Sequence, residues 1–206
     1  MPRDSGEPTL ILASASARRR DLLHSAGVSF EVQPSEADEQ QRPGEAPADY
    51  ARRVAADKAR EIARQRRRRG DRRPVLGADT VVVIDRKAIG KPADRGDAAA
   101  MLRRLSGRTH QVLTAFCLID SRGEERRDLV STDVTFKQLE PAEIERYLDR
   151  AQWQDKAGAY AVQEHAAYMV REVRGSYSNV VGLPLCETLE SLATVGVVPH
   201  PDHRRR

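Results

Sequence analysis

The sequence predicts an α/β domain built on one mixed sheet, and three observations predict it. The chain has 206 residues, of which 39% are hydrophobic, enough for one large domain or two small lobes with a real core. Apolar runs of strand length are interspersed with segments of helical spacing, without a strict βαβ rhythm. No internal repeat, heptad pattern or long linker interrupts them. A single domain over 8–198 is therefore expected, with a flexible N-terminus at 1–7 and a flexible tail at 199–206.

The elements follow in order. Residues 8–12 plus Ala13, with the run TLILA, read as a short buried strand. Ser16 then caps a helix with Leu22, Leu23 and Ala26 at helical spacing, ended by Gly27. Residues 28–34 read as a strand, and 35–47, polar with two prolines, as a loop. Over 48–65, Tyr50, Val54, Ala55, Ala59 and Ile62 fall on one side of a helix. Residues 74–85 give a long apolar strand signal interrupted by Asp79, followed by a turn. A helix over 95–105 closes at Gly107, and 109–120 and 126–139 are strands joined by a hairpin-like turn. Pro141 suits the first turn of a helix reaching Leu148. Residues 152–163 are loop-like, 166–173 a strand, 175–184 rich in turn residues and 184–195 the last helix.

Composition narrows the function classes. Charged residues make up 32% of the chain, aromatics only 4%, and Trp153 is the single tryptophan. So few rings argue against a single-strand nucleic-acid platform. The net charge is +4 and the isoelectric point about 9.3, yet five of the 35 basic residues are lysines: Lys58, Lys87, Lys91, Lys137 and Lys156. Such heavy use of arginine reads as compositional bias, so the rare lysines carry more information. Arg66–Arg69 reads as a solvated helix end rather than a nucleic-acid patch. Cys117 and Cys186 sit in apolar contexts and read as small buried residues in a reducing compartment. No run approaches the length needed to span a bilayer and no signal peptide is evident, so a cytoplasmic protein without membrane contact is expected.

Five segments carry chemistry. Ser14, Ser16, Arg18 and Arg19 stand where a strand meets a helix N-terminus, a place that favours anions; an ordinary capped helix would use the same residues. Asp79 interrupts a run of valines, where a carboxylate is costly unless paired or metal-bound. It suits a metal ligand or a base, or else a strand end capping a loop. Lys91 lies in the Gly90–Pro92 turn soon afterwards, and Lys58 stands alone on an arginine-rich helix, where a plain surface lysine is the default. Lys156 to Tyr160, followed by Gln163, combines charge, small residues and a side chain able to read a base edge. Residues 175–184, taken alone, read as structural turns. Patterns for Walker A loops, GxGxxG, HExxH and CxxC are absent, and no histidines show metal-ligand spacing.

Together these segments resemble the Maf family of nucleotide pyrophosphatases. The resemblance rests on LASASARRRDLL (12–23), LGADTVVV (76–83) with IGKP (89–92), LSGRTHQVLTA (105–115), DKAGAYAVQ (155–163) and GSYSNVVGLPL (175–185), in the family's order over nearly the whole chain. It implies an elongated mixed sheet similar to that of inosine triphosphate pyrophosphatases, with a central cleft between two lobes. It implies cleavage of a nucleoside triphosphate between the α- and β-phosphates with a divalent cation, magnesium first and manganese second. It also implies a homodimer. By motif, Asp79 matches the catalytic proton acceptor. Ser16, Arg19, Lys58, Lys91 and Lys156 match positions around the phosphates, and Glu39 with Asp79 matches the metal site. Arg18, Thr80 and Gln163 match positions tied to base choice, and Asp79-Thr80 resembles the branch acting on dTTP and UTP rather than the 7-methyl-GTP branch. The family's link to arrest of septum formation leaves a nucleotide-sensing regulator as the alternative. Two departures stand out: Ala17 where proline is usual, still a good helix former, and Ala161 where glycine is common.

Overall fold

The computed structural model describes residues 9–150, 153–163 and 165–198; the segments expected to be flexible at 1–7 and 199–206 lie outside them. Strands β1 (Leu10–Leu12), β2 (Phe30–Val32), β3 (Val75–Ile84), β4 (Lys87–Ile89), β5 (Thr109–Ile119), β6 (Glu125–Phe136) and β7 (Val170–Arg174) form one mixed sheet, ordered β2-β1-β3-β5-β6-β7, with β4 added to β3. The strands β1, β2 and β3 run parallel, while β3 to β7 pair antiparallel. This is the α/β class with a mixed sheet that the sequence predicts.

Helix α2 (Pro47–Arg67) covers one face. Proline at its first turn, Asp49 near the N-terminus and arginines in the last turn suit its start and end. Val54, Ala55, Ala59 and Ile62 are buried, as the periodicity predicts, whereas Tyr50 is only half-buried. The opposite face is covered by α1 (Ala17–Ser25) and α6 (Leu185–Thr194) at one end, and by α3 (Arg95–Leu105), α4 (Pro141–Leu148) and α5 (Tyr177–Val181) at the other. Asp94 caps α3 through the Asp97 amide at 2.8 Å, and Glu140 and Glu143 form a capping box on α4. Among the described residues no helix is long and apolar enough to cross a membrane.

Several local expectations are corrected. The turn expected after β3 contains β4, because Asp85 and Arg86, with φ of 54° and 61°, make a two-residue hairpin turn. Strand β7 begins four residues later than expected, since His165–Met169 form 3₁₀ turns. Part of the turn-rich segment is helix α5, capped by Ser176 through the Asn179 amide at 3.2 Å. Cys117 is buried as expected, but Cys186 is exposed on the outer side of α6. Asp79 does not end a strand: β3 continues through it, because β5 pairs along the whole length from Val75 to Val83.

His110, on β5, is 2% exposed, with Nε2 2.7 Å from the Tyr160 hydroxyl. Burial pulls its pKa down from 6.5 to about 4, against a small upward effect of Asp133. The folded state therefore binds this proton less readily than the unfolded chain. Stability from the neutral ring is fully present above pH 6.5 and declines as pH falls from there toward 4, by on the order of 3 kcal/mol in all. Urea unfolding at pH 7 and pH 5 is expected to show about 2 kcal/mol of loss in the wild type, most of it absent in His110→Gln. Equal losses in both proteins would place the acid sensitivity elsewhere.

Candidate active site

The site lies at an interruption in the sheet. Strand β1 pairs with β3 only at Val75 and Leu76, and β4 pairs with it from Val82 onward. Between them, residues 77–81 have, among the described residues, no strand neighbour on that edge. The last bond on the β1 side runs from the Ala13 amide to the Leu76 carbonyl at 2.8 Å, after which the chain turns into α1. A cleft of about 710 Å³ opens there, lined among others by Ser16, Glu39, Lys58, Asp79, Lys91 and Lys156. It sits beyond the carboxyl end of β1 and at the N-terminus of α1, where α/β sheets place ligands and anions.

Side chains alternate across β3. Gly77, Asp79 and Val81 face α2; Thr80 and Val82 face the other side. The close approach at Gly77 lets α2 lie against the strand, and this carries Lys58 to Asp79. Lys58 Nζ donates to Asp79 Oδ1 at 2.9 Å and lies 2.7 Å from Glu39 Oε1. The side chains of Lys58 and Asp79 are only 8% and 11% exposed, against 44% for Glu39. The default of a plain surface lysine is thus overturned: Lys58 is the buried cation joining both carboxylates. Burial by itself would raise the Glu39 pKa, but the charge and hydrogen bond of Lys58, then Lys91 and Arg19, hold it below the usual range. Lys91 Nζ lies 3.6 Å from Glu39 Oε2 on the outer rim.

Arg19 is buried beneath the α1 N-terminus, where Ser16 caps the helix through the Arg19 amide at 3.4 Å. Its Nε donates to the Gly182 carbonyl at 2.8 Å, Nη1 to Ser14 Oγ at 3.1 Å and Nη2 to Thr80 Oγ1 at 3.1 Å. Those bonds leave one N–H on each Nη for a ligand. Burial lowers its pKa while Asp79 and Glu39 oppose the change, and the guanidinium stays charged. Thr80 Oγ1 also lies 3.0 Å from Thr114 Oγ1, whose hydroxyl donates to the Asn179 carbonyl at 2.9 Å. With its hydroxyl engaged in this way, Thr80 fixes Arg19 and the Gly182 turn.

Lys156 is 8% exposed and, among the described residues, its ammonium has no side-chain hydrogen-bond or ion-pair partner, while its backbone bonds Trp153 and Ala159. The Gly158 amide donates to the Gly90 carbonyl at 3.1 Å, which ties the turns carrying Lys156 and Lys91 together. Gly158, with φ of 70°, leaves room for Val82, whose methyl carbons a Cβ would meet at 3.2 and 3.3 Å. Arg18, half-buried, and Gln163, exposed, both line the cleft.

The cleft therefore brings together Ser16, Arg18, Arg19, Glu39, Lys58, Asp79, Thr80, Lys91, Lys156 and Gln163, the candidate site residues of the sequence, while Lys87 and Lys137 lie away from it. Sequence reading missed Tyr50 and Gln40, which also line it, and the support from Thr114 and Asn179. The spacing 50, 54, 58 sets Tyr50 and Lys58 on one stripe of α2 and was the available signal. Thr114 and Asn179 fall within the motifs at 105–115 and 175–185, but nothing in those strings marks their support of Thr80.

A family model described as "Maf-like protein" matches residues 9–195. The chain is 50% identical over 193 residues to a dTTP/UTP pyrophosphatase of Geobacter sulfurreducens, covering 92% of this chain and 97% of the relative. It is 48% identical over 199 residues to a dTTP/UTP pyrophosphatase of Geobacter metallireducens, covering 96% and 100%. Among solved structures, a dITP/XTP pyrophosphatase from Mycobacterium abscessus superposes with a TM-score of 0.41 at 17% identity, covering 63% of this chain and 75% of that one.

Proposed function

This chain belongs to the Maf family, and we propose that it hydrolyses dTTP and UTP to the monophosphate and pyrophosphate with the help of a divalent cation. The observation that carries the reading is the Glu39–Lys58–Asp79 triad in the sheet gap. A carboxylate needed only for packing would not stand at a cleft wall with a second carboxylate turned toward the same nitrogen. The names of the two Geobacter relatives support the substrate pair, as does the Asp79-Thr80 pairing.

The residues fit magnesium. Glu39 and Asp79 offer hard oxygen donors within 2.7 and 2.9 Å of one nitrogen. Among the described residues no cluster of three or more His, Cys, Asp or Glu could hold a metal, so Glu39 and Asp79 would hold a cation only together with non-protein oxygens, which suits magnesium; manganese suits the same donors. When bound, such an ion withdraws charge from the phosphate oxygens.

The chain's own groups do the rest. Lys58 holds Asp79 Oδ1 and leaves Oδ2 to accept the proton of the attacking water. The water oxygen bonds to the α-phosphorus, and the bond to the bridging α–β oxygen breaks, so that oxygen leaves with pyrophosphate. Lys91, Lys156 and the remaining Arg19 N–H groups neutralise the departing charge, and Ser16 with the α1 amides receives a phosphate oxygen. Arg18 and Gln163 line the cleft where a base can be read.

The test is product analysis with magnesium on dTTP, UTP, CTP, GTP and 7-methyl-GTP. Monophosphate and pyrophosphate are expected from dTTP and UTP, with kcat/KM at least about tenfold above the others. A preference for 7-methyl-GTP would keep the reaction and overturn the base assignment. Nucleotide binding without any turnover would point to a nucleotide-sensing regulator.

A further inference from the structure

The two carboxylates at the cleft are held in different ways. Asp79 is on the central strand of the sheet, paired along β5. Glu39 is on a stretch without regular secondary structure between β2 and α2, and its side chain is 44% exposed. That stretch is tied to the body by a row of side chains along α2. The Tyr50 hydroxyl donates to the Glu39 carbonyl itself at 2.6 Å. Arg53 Nη2 donates to the next carbonyl, that of Gln40, at 2.8 Å. Arg53 also grips Glu45 with two bonds, 2.6 Å from Nε and 2.9 Å from Nη2, with both side chains largely buried. The Glu45 carboxylate in turn accepts the Arg42 amide at 3.0 Å, and the Glu45 carbonyl accepts Gln41 Nε2 at 2.8 Å. Further back, Glu61 accepts from the Ser35 hydroxyl at 2.5 Å and the Glu36 amide at 3.0 Å. The Arg53 guanidinium lies 5.7 Å from the centre of the Tyr50 ring, so the two residues at the front act as one unit.

We propose that Tyr50 and Arg53 are positioning residues that fix the Glu39 main chain and thereby set the affinity of the cleft for its divalent cation. The inference rests on the reading of Glu39 as a ligand to that cation. Lys58 attracts the Glu39 carboxylate but cannot orient the backbone behind it. A cation displacing that contact would leave the carboxylate dependent on its main chain for position, and the main chain is held by Tyr50 and Arg53. A flexible ligand gives up more conformational freedom on binding than a preorganised one. Weakened metal binding with intact turnover at saturation is the signature of this role.

The experiment compares wild type, Tyr50→Phe, Arg53→Met, Glu39→Gln and the double variant Tyr50→Phe/Glu39→Gln. Free Mn²⁺ is followed by electron paramagnetic resonance during titration in the presence of α,β-methylene-UTP. The Mg²⁺ dependence of kcat is measured alongside, and circular dichroism checks folding. Tyr50→Phe is expected to weaken Mn²⁺ binding and raise the half-saturating Mg²⁺ concentration by about fivefold, the loss of one hydrogen bond. Its kcat at saturating Mg²⁺ is expected within about twofold of wild type, and it adds no further weakening in the Glu39→Gln background. Arg53→Met is expected to act in the same direction. A full additional loss in the double variant, or lower kcat with unchanged Mn²⁺ binding, would overturn the proposal. Unchanged Mn²⁺ binding in Glu39→Gln would instead refute the ligand role of Glu39 on which the proposal stands.

Discussion

Asp79→Asn is expected to lower kcat by about 10²–10⁴, the range for loss of a positioned proton acceptor, while leaving KM for UTP close to that of wild type. The amide keeps the shape of the carboxylate, and its oxygen still accepts from Lys58 Nζ, which lies 2.9 Å from Oδ1 in the wild type. The fold and the electropositive wall of the cleft therefore persist. What is lost is the second oxygen's ability to take a proton, together with the negative charge that Asp79 offers the cation, which saturating magnesium offsets. Pyrophosphate release at saturating UTP and magnesium, with thermal unfolding as the control for folding, measures both. A kcat within about threefold of wild type would place the proton acceptor on another group.

The second large effect is expected at Gly77, away from the substrate. A Cβ there would sit 2.4 Å from the Ala55 carbonyl oxygen and 2.7 Å from the Ala59 amide nitrogen, both main-chain atoms of α2. No rotamer change relieves that overlap, so Gly77→Ala must push the helix off the strand. The cost is expected to be about 3 kcal/mol, the upper part of the range for overpacking, read by urea unfolding. Because Lys58 rides on the same helix and bonds Asp79 two residues along the same strand, the shift separates the pair as well. Misplacement of about 1 Å at such a site costs about 10² in rate, so kcat is expected to fall with stability. Gly90→Ala is the control, since a Cβ there meets nothing within 4 Å. Wild-type stability in Gly77→Ala would mean that α2 does not bear on β3 at this point.

Much of the fold was legible because its signals are local. The apolar runs at β1, β3 and β5, the alanine-rich stripe of α2 and Pro141 at the start of α4 each declare an element within a few residues. The misread stretches were those whose conformation depends on a neighbour. Lys87–Ile89 is a strand because the positive φ values of Asp85 and Arg86 fold it back onto β3, with neither residue being glycine. Cys186 sits among apolar residues in sequence yet faces outward, because its helix buries Thr188 and Leu192 instead.

By itself the sequence determined the class of the fold, the family and most of the charged residues that line the cleft, because motifs of short range stand as strings: Ser14 to Arg19, Asp79-Thr80, Gly90 to Pro92, Lys156 to Tyr160. Only the tertiary structure decided how those residues are used. It places Lys58 between Glu39 and Asp79, since the absence of a side chain at Gly77 lets α2 reach β3. It engages the Thr80 hydroxyl with Arg19 and Thr114, and it ties the Glu39 main chain to Tyr50. The partners in these contacts lie 11 to 61 residues apart in the chain. A charge or hydroxyl carries no mark in sequence of the group it will meet across such a distance; the interrupted edge of β3 and the packing of α2 supply it.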